Sequence, residues 1–404
     1  MFSRVCRDQI LFATKAAFAA FFVFYAVVWG KRVAPDLSTG NVWINDFWTL
    51  WSGIKFAFVN PPVAIYNTQK MIEFQMYLGS NVRFEKAFVY PPSFLLLIYP
   101  FGFLTFRVGY AVWTACTFAL YFIASQYKEI RRISAFVALL APASIVNIAY
   151  GQTGFLVAAL ITGGCRLSVH RPVASGILFG FASVKPQFGV LVPIALLSAR
   201  QWRSLAAASA TVCLLVLASG FAFGWSAWPA WWVKLLHHGA LEFNLEKCPT
   251  IASTLISIGV DRLTATTVQL CVGIIVASLV WMCFRSGVTA LATAALLAGS
   301  FLVTPYAFVY DLPMITTAVI AVLVAKSRTR AKLSVVDGVI LGWALLLPAM
   351  MMESWRLSIL RSVPLLLLFG LIVFLNFRAD VSQRWRGPPS PANQPTKLPH
   401  SAVG

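Results

Sequence analysis

What most constrains this chain is a succession of apolar runs, many of them near the roughly 20 residues that a membrane-spanning helix needs. Short connections separate the runs and hold small basic clusters: Lys128, Arg131 and Arg132; Arg200 and Arg203; Lys326, Arg328, Arg330 and Lys332; Arg378, Arg384 and Arg386. Of the 404 residues, 59% are hydrophobic and only 11% are charged, with mean hydropathy +0.78. A soluble domain carries about 25% charged residues, so this chain has too few to coat a water-facing surface. The pattern predicts an all-α polytopic integral membrane protein, with room for about twelve passes at roughly 30 residues per pass with its connection.

Lys and Arg number 32 against 13 Asp and Glu, a formal charge of +19. On a soluble protein such an excess points to nucleic acid. Here the basic residues lie between apolar runs, the positive-inside pattern, with anionic lipid headgroups as the counter-charge. Membrane lipids are therefore expected partners and nucleic acid is not. The cysteines (Cys6, Cys116, Cys165, Cys213, Cys248, Cys271 and Cys283) are scattered, with no C-x-x-C pair. They read as small buried hydrophobes, and with four histidines they suggest no metal cluster.

Arg4 and Arg7 precede an apolar run from Ile10 to Trp29. It reads as an uncleaved first anchor running outward, with Lys15 snorkelling to the inner face. Residues 30–105 form a long outer loop holding Asp36, Asp46, Glu73 and Glu85. Two short helices are expected there, near 47–58 and 67–79. The first places Phe47, Leu50, Trp51, Ile54 and Phe58 at helical spacing and predicts a helix lying in the membrane interface. The stretch 90–106 is apolar but broken by Pro91, Pro92 and Pro100, so it should dip into the outer leaflet without crossing. Further spans are expected at 106–127, 133–149, 152–168, 172–184, 186–198, 202–223, 262–284, 288–303, 312–325, 334–352 and 357–377. The pair meeting at Lys185-Pro186 should form a tight hairpin. A second outer segment, 224–261, carries Trp225, Trp228, Trp231, Trp232 and His237-His238. Both termini then face the cytoplasm, with one transmembrane domain over 1–377 and a disordered tail over 378–404.

Lone charges near a bilayer are costly to desolvate and mark functional candidates. Asp46 sits just after the first span. Either it or Asn45 can cap the helix that follows, and Asp46 can also serve as a general base toward a hydroxyl. Lys185 can snorkel or hold an anion such as a lipid phosphate. Asp311 can cap the span beginning at Leu312 or face the same site as Asp46. Asn147, Gly151, Gln152 and Tyr90 fall at outer junctions in the same topology. Trp43, Phe47, Trp48 and Trp51 can anchor the loop in the interface or stack on sugar and lipid.

These residues fall into blocks that resemble glycosyltransferase family 87, enzymes of the GT-C superfamily. The blocks are Asp46-Phe47-Trp48, Tyr66, Tyr90-Pro91-Pro92, Gly151–Gly154 (GQTG), Lys185-Pro186-Gln187 and Thr304–Leu312 (TPYAFVYDL). The resemblance implies a GT-C-like bundle in a bacterial-type inner membrane. It also implies transfer of a hexose, mannose or a related sugar, from a polyprenyl-phosphate donor to a glycan or glycolipid acceptor on the outer face, with inversion by direct displacement. Asp46 maps onto the family's catalytic acidic residue, and Asp311 is the second acidic candidate. Lys185, Gln187, Gln152, Tyr90, Tyr66 and Tyr306 are the expected substrate-binding residues. The lipid-linked sugar is a substrate, so no cofactor is implied, and a divalent ion at Asp46 stays open. Where some relatives carry a His pair, this chain has Tyr310-Asp311. A transporter or lipid-linked sugar flippase is the competing reading; the gathering of polar residues at one face weighs against it, since transporters place theirs near the midplane between repeats.

Overall fold

Proline sets where many of the helices begin. Pro92, Pro142, Pro172, Pro186 and Pro313 each open a helix, at the position where a missing N–H costs nothing and a fixed φ helps. The computed structural model describes residues 46–79, 87–237, 248–353 and 361–385. The expected first span (10–29, with Lys15), Asp36, Trp43, Asn45, Glu85, His238 and the tail beyond 385 lie outside those residues.

The first loop carries α1 (Asp46–Val59), α2 (Thr68–Tyr77) and α3 (Pro92–Ile98), followed by the long α4 (Phe106–Ser125). Then come α5 (Arg131–Leu140), α6 (Pro142–Tyr150), α7 (Gly154–Leu167), α8 (Pro172–Phe181), α9 (Pro186–Gly189) and α10 (Leu191–Ser198). The second half holds α11 (Trp202–Phe223), α12 (Ala227–His237), α13 (Ile251–Ser257), α14 (Arg262–Phe284), α15 (Ala290–Val303), α16 (Pro313–Arg328), α17 (Val335–Glu353) and α18 (Val363–Trp385). No strand occurs among the described residues.

Burial sorts these helices into a centre and a rim. Along α15 every residue from Ala290 to Leu302 is buried, and α7 and α16 are nearly as enclosed. The many Ala, Gly and Ser of α15 let neighbouring backbones come close, as packing between helices in lipid requires. By contrast, only 11% of the apolar stretch of α11 is buried, against 72% for the segment Val309–Arg328. Exposed Leu214, Leu217 and Phe221 on α11 form an apolar face suited to lipid. Gly176 and Gly180, one turn apart on α8, press against the backbone of α11 around Ser204 and Ala208. This small-xxx-small contact seats α8 on α11. Interhelical hydrogen bonds join other pairs: Ser175 Oγ on α8 donates to Gly164 O on α7 at 2.7 Å, and Ser198 Oγ on α10 to Trp281 O on α14 at 2.5 Å.

Several expectations change. Among the described residues four helical segments are long and apolar enough to cross a membrane, or five if the bent pair α5–α6 and its leading turn counts as one. Expected spans such as 152–168 and 288–303 are instead the 14-residue α7 and α15, about 21 Å long against a hydrocarbon core of roughly 30 Å. The expected continuous span 133–149 bends by 45° at Ala141-Pro142, because proline removes a helix donor and clashes with the preceding turn. Near Lys185, α8 packs chiefly on α11 and α7, whereas α10 packs on α14. The two arms therefore diverge and do not form a tight hairpin. The segment 92–103 is a short helix continued by a 3-10 turn. The last helix continues to Trp385, past the expected start of the tail at 378. Finally, α1 is not a surface-lying helix: Phe47, Trp48, Leu50, Trp51, Ile54 and Phe56 are all buried within the protein.

Candidate active site

The burial of α1 fixes the first candidate residue. The Phe47 ring lies 5.9 Å from Phe106, 6.0 Å from Tyr110 and 6.2 Å from Trp113, so the start of α1 is clamped against the start of α4. Trp51 Nε1 donates to Leu104 O at 3.0 Å. Phe47, Trp48 and Trp51 are packing groups here. They hold Asp46, the first residue of α1 and half-buried, against the turn after α6.

That turn is built by Gly151. Its φ of +64° ends α6 in a left-handed cap, and its N–H returns to Asn147 O at 2.8 Å. Tyr110 OH donates to Ile148 O at 2.5 Å and Trp113 Nε1 to Gly151 O at 3.1 Å, so α4 grips the turn from one side. Asn147 Nδ2 donates to Tyr310 O at 2.6 Å from the other. A Cβ on Gly154 would collide with that same Tyr310 carbonyl, which explains the second glycine of the block.

Gln152 leaves this turn between two expected site residues. Its Nε2 donates to Asp46 Oδ2 at 3.2 Å, and its Oε1 accepts from Tyr90 OH at 2.6 Å. The Tyr90 hydroxyl also lies 3.3 Å from Thr153 Oγ1. Tyr66 OH donates to the Tyr90 carbonyl at 3.1 Å and so holds the backbone ahead of the proline pair. Burial pushes the Tyr90 phenol far above its usual value, and the charges of Asp311 and Asp46 push it the same way. The phenol is thus a fixed donor, and both carboxylates belong to one electrostatic neighbourhood. Burial likewise raises the Tyr66 phenol and pushes Tyr306 up to about 12.

Lys185 and Asp311, 126 positions apart, meet in a buried ion pair of 2.5 Å. The other carboxylate oxygen of Asp311 accepts from Phe308 N at 3.2 Å, closing the turn before α16. The Lys185 ammonium also lies 5.0 Å from the Tyr310 ring and 5.8 Å from the Phe188 ring. Gln187 is half-buried, and its side chain makes no hydrogen bond to any described residue. Tyr306 enters the hydrogen bonding through its backbone, with Thr304 Oγ1 donating to its carbonyl at 2.8 Å. Among the described residues no three His, Cys, Asp or Glu side chains gather where they could hold a metal ion.

A model of glycosyltransferase family 87 matches residues 88–308, more than half of the chain. The chain belongs to glycosyltransferase family 87. No curated protein and no solved structure gives a match. Membership makes this a membrane glycosyltransferase and sets aside the transporter or flippase reading. The matched stretch of this family 87 member holds Tyr90, Gln152, Lys185, Gln187 and Tyr306, whereas Tyr66, Asp46 and Asp311 lie outside it. Hydrogen bonds from Gln152 to Asp46 and from Lys185 to Asp311 tie both carboxylates to the matched core.

Sequence reasoning missed two buried cations of this glycosyltransferase. Lys234 on α12 donates to Thr68 Oγ1 at 2.6 Å, beside Trp231, whose Nε1 donates to Val89 O at 3.1 Å. The signal was a single lysine inside the tryptophan cluster. Arg361 is 6% exposed ahead of α18. Burial pushes the nearby Cys248 thiol up to about 12, with Asp311 adding to the shift and Arg361 opposing it. Arg361 therefore stands in the same charged neighbourhood as Asp311, although in sequence it is one more basic residue before an apolar run. His237 closes α12.

Proposed function

We propose that this glycosyltransferase moves a hexose, mannose by the family resemblance, from a polyprenyl-phosphate sugar to a hydroxyl of a glycan or glycolipid. In this reading the site faces the outside of a bacterial-type inner membrane, in a GT-C-like bundle. The observation that carries it is the chain Tyr90–Gln152–Asp46, which aims a carboxylate with a fixed orientation.

Asp46 takes the proton of the acceptor hydroxyl. The acceptor oxygen forms its bond to the anomeric carbon as the bond from that carbon to the phosphate oxygen breaks, and polyprenyl phosphate leaves with the electron pair. Direct displacement inverts the anomeric centre. An ammonium has three donors. Asp311 takes one from Lys185 and orients the group, which leaves two for a phosphate oxygen as negative charge grows there. Asp311 then acts as a positioning residue for Lys185, and Asp46 is the base.

The test is incubation of the purified protein with a labelled polyprenyl-phosphate sugar and candidate acceptors in detergent. Acceptor-dependent release of polyprenyl phosphate is the expected result. Donor that remains intact with every sugar acceptor, or is carried unchanged across a sealed vesicle, would overturn the reading.

A further inference from the structure

The end of the bundle away from Asp46 holds a cavity with a basic rim. Twenty-residue α4 begins beside the candidate active site at Phe106 and runs about 30 Å to Ser125. On α7, Gly154 packs on the Tyr310 carbonyl, whereas Arg166 lies about 18 Å further along the helix. Between these far ends is a cavity of about 340 Å³.

Its rim carries Lys128, Arg166, His170 and Arg328 against one carboxylate, Glu129. Buried Tyr127 and Thr293 lie deeper in its wall. Arg166 Nη1 donates to the carbonyls of Ile123 and Ala124 at 3.2 and 2.7 Å, and its guanidinium lies 4.7 Å from the Tyr127 ring. The Ala124 carbonyl lies among the last four acceptors of α4 and that of Ile123 also accepts from Gln126 N at 3.2 Å, so these neutral groups anchor Arg166 without cancelling its charge. Arg328 pairs with Glu129 at 2.8 Å. The side chains of Lys128 and His170 have no hydrogen-bond or ion-pair partner among the described residues. Burial pushes the Tyr127 phenol up to about 12, against the opposing charge of Arg166, so it remains a donor at neutral pH.

Lys128, Arg166 and Arg328 against Glu129 leave an excess of two positive charges on a concave surface. That excess matches a phosphate ester, which carries up to about two negative charges and accepts several hydrogen bonds. Planar guanidinium donors suit its oxygens. A phosphate monoester supplies both charges and a phosphodiester headgroup one of them, whereas a neutral sugar supplies none. We propose that this cavity binds a phosphate ester, presented by an anionic lipid headgroup or by a soluble phosphate compound, at the end of the bundle opposite the candidate active site.

The test uses the full-length protein purified in detergent and the double variant Lys128→Gln/His170→Gln. Both positions are exposed and unpaired, so the fold should persist. Inorganic phosphate, dihexanoyl phosphatidylglycerol and dihexanoyl phosphatidylcholine are titrated by calorimetry. The expected result is saturable binding of phosphate or of phosphatidylglycerol, weakened roughly tenfold or more in the variant as charge-assisted contacts are lost. Saturation by inorganic phosphate assigns a soluble ester, and saturation by phosphatidylglycerol alone assigns a lipid headgroup. No saturable binding of either, equal binding by both proteins, or phosphatidylcholine binding as tightly as phosphatidylglycerol would overturn the proposal.

Discussion

Breaking the Lys185–Asp311 pair tests whether these two distant residues act as one unit. Their side chains are 7% and 1% exposed, with 2.5 Å between nitrogen and oxygen. Asp311→Asn leaves a buried ammonium facing a neutral amide, and Lys185→Met leaves a buried carboxylate that still accepts from the Phe308 N–H. Removing one member of a buried pair costs about 3–5 kcal/mol, because the remaining charge is uncompensated. Against a total stability of roughly 5–15 kcal/mol, either single change should sharply lower the yield and melting temperature. The double variant Lys185→Met/Asp311→Asn holds no orphan charge, and its amide oxygen can still accept from Phe308 N. It should be more stable than either single variant, with a coupling of about 2–3 kcal/mol. Thermal unfolding of the four detergent-purified proteins reads this directly, and donor turnover on the same samples separates fold from function. The double variant should regain stability and remain inactive. Single effects that add to the double within about 0.5 kcal/mol would refute the pairing as an energetic unit.

Three further outcomes follow from the same geometry. Gly151→Ala places a Cβ at a φ of +64°, 2.8 Å from Phe47 Cβ, and should destabilise the protein by about 1–3 kcal/mol in thermal unfolding. A topology reporter fused after Arg132 or after Lys332 should report the cytoplasm, and one near Gln75 the outside; an outside signal at Arg132 would mean that 90–105 crosses fully. Tyr127 and Tyr306 have phenols raised from 10.0 to about 12 in the folded protein, so their contribution to stability is fully present below pH 10. It is lost as pH rises through about 12, since the unfolded phenols ionise first. Phenolate absorbance appearing near pH 10 for all tyrosines would contradict the burial of these two.

Local patterns in the sequence carried the helices at 46–59 and 68–77, the broken stretch after Pro91 and the turn at Gly151. Each depends on residues within a few positions: a proline that removes a donor, or a glycine that accepts a positive φ. Tertiary contacts were another matter. The spacing of Phe47, Trp51 and Ile54 correctly marks a helix, yet it cannot tell lipid from a protein core supplied by Phe106, Tyr110 and Trp113 some 60 residues later. The block resemblance brought Asp46, Tyr90, Gln152, Lys185 and Asp311 forward as candidates. It did not reveal that Gln152 bridges Tyr90 to Asp46, or that Lys185 takes Asp311 as its partner. Lys234 and Arg361 escaped because a lone cation beside an apolar run reads as snorkelling. The burial of Lys234 comes from α12 folding back on the first loop.

The account rests most heavily on Asp46 as the base, and Asp46→Asn tests that directly. Asparagine serves at a helix start about as well as aspartate, and its amide oxygen can still accept from Gln152 Nε2, so expression and melting temperature should stay near wild type. It cannot accept a proton at neutral pH, so transfer from a polyprenyl-phosphate sugar should fall by roughly 10²–10⁴-fold. Measured on the purified Asn variant, a loss of that size in a folded protein is the predicted result. Transfer within a few-fold of wild type would remove Asp46 as the base and contradict the mechanism.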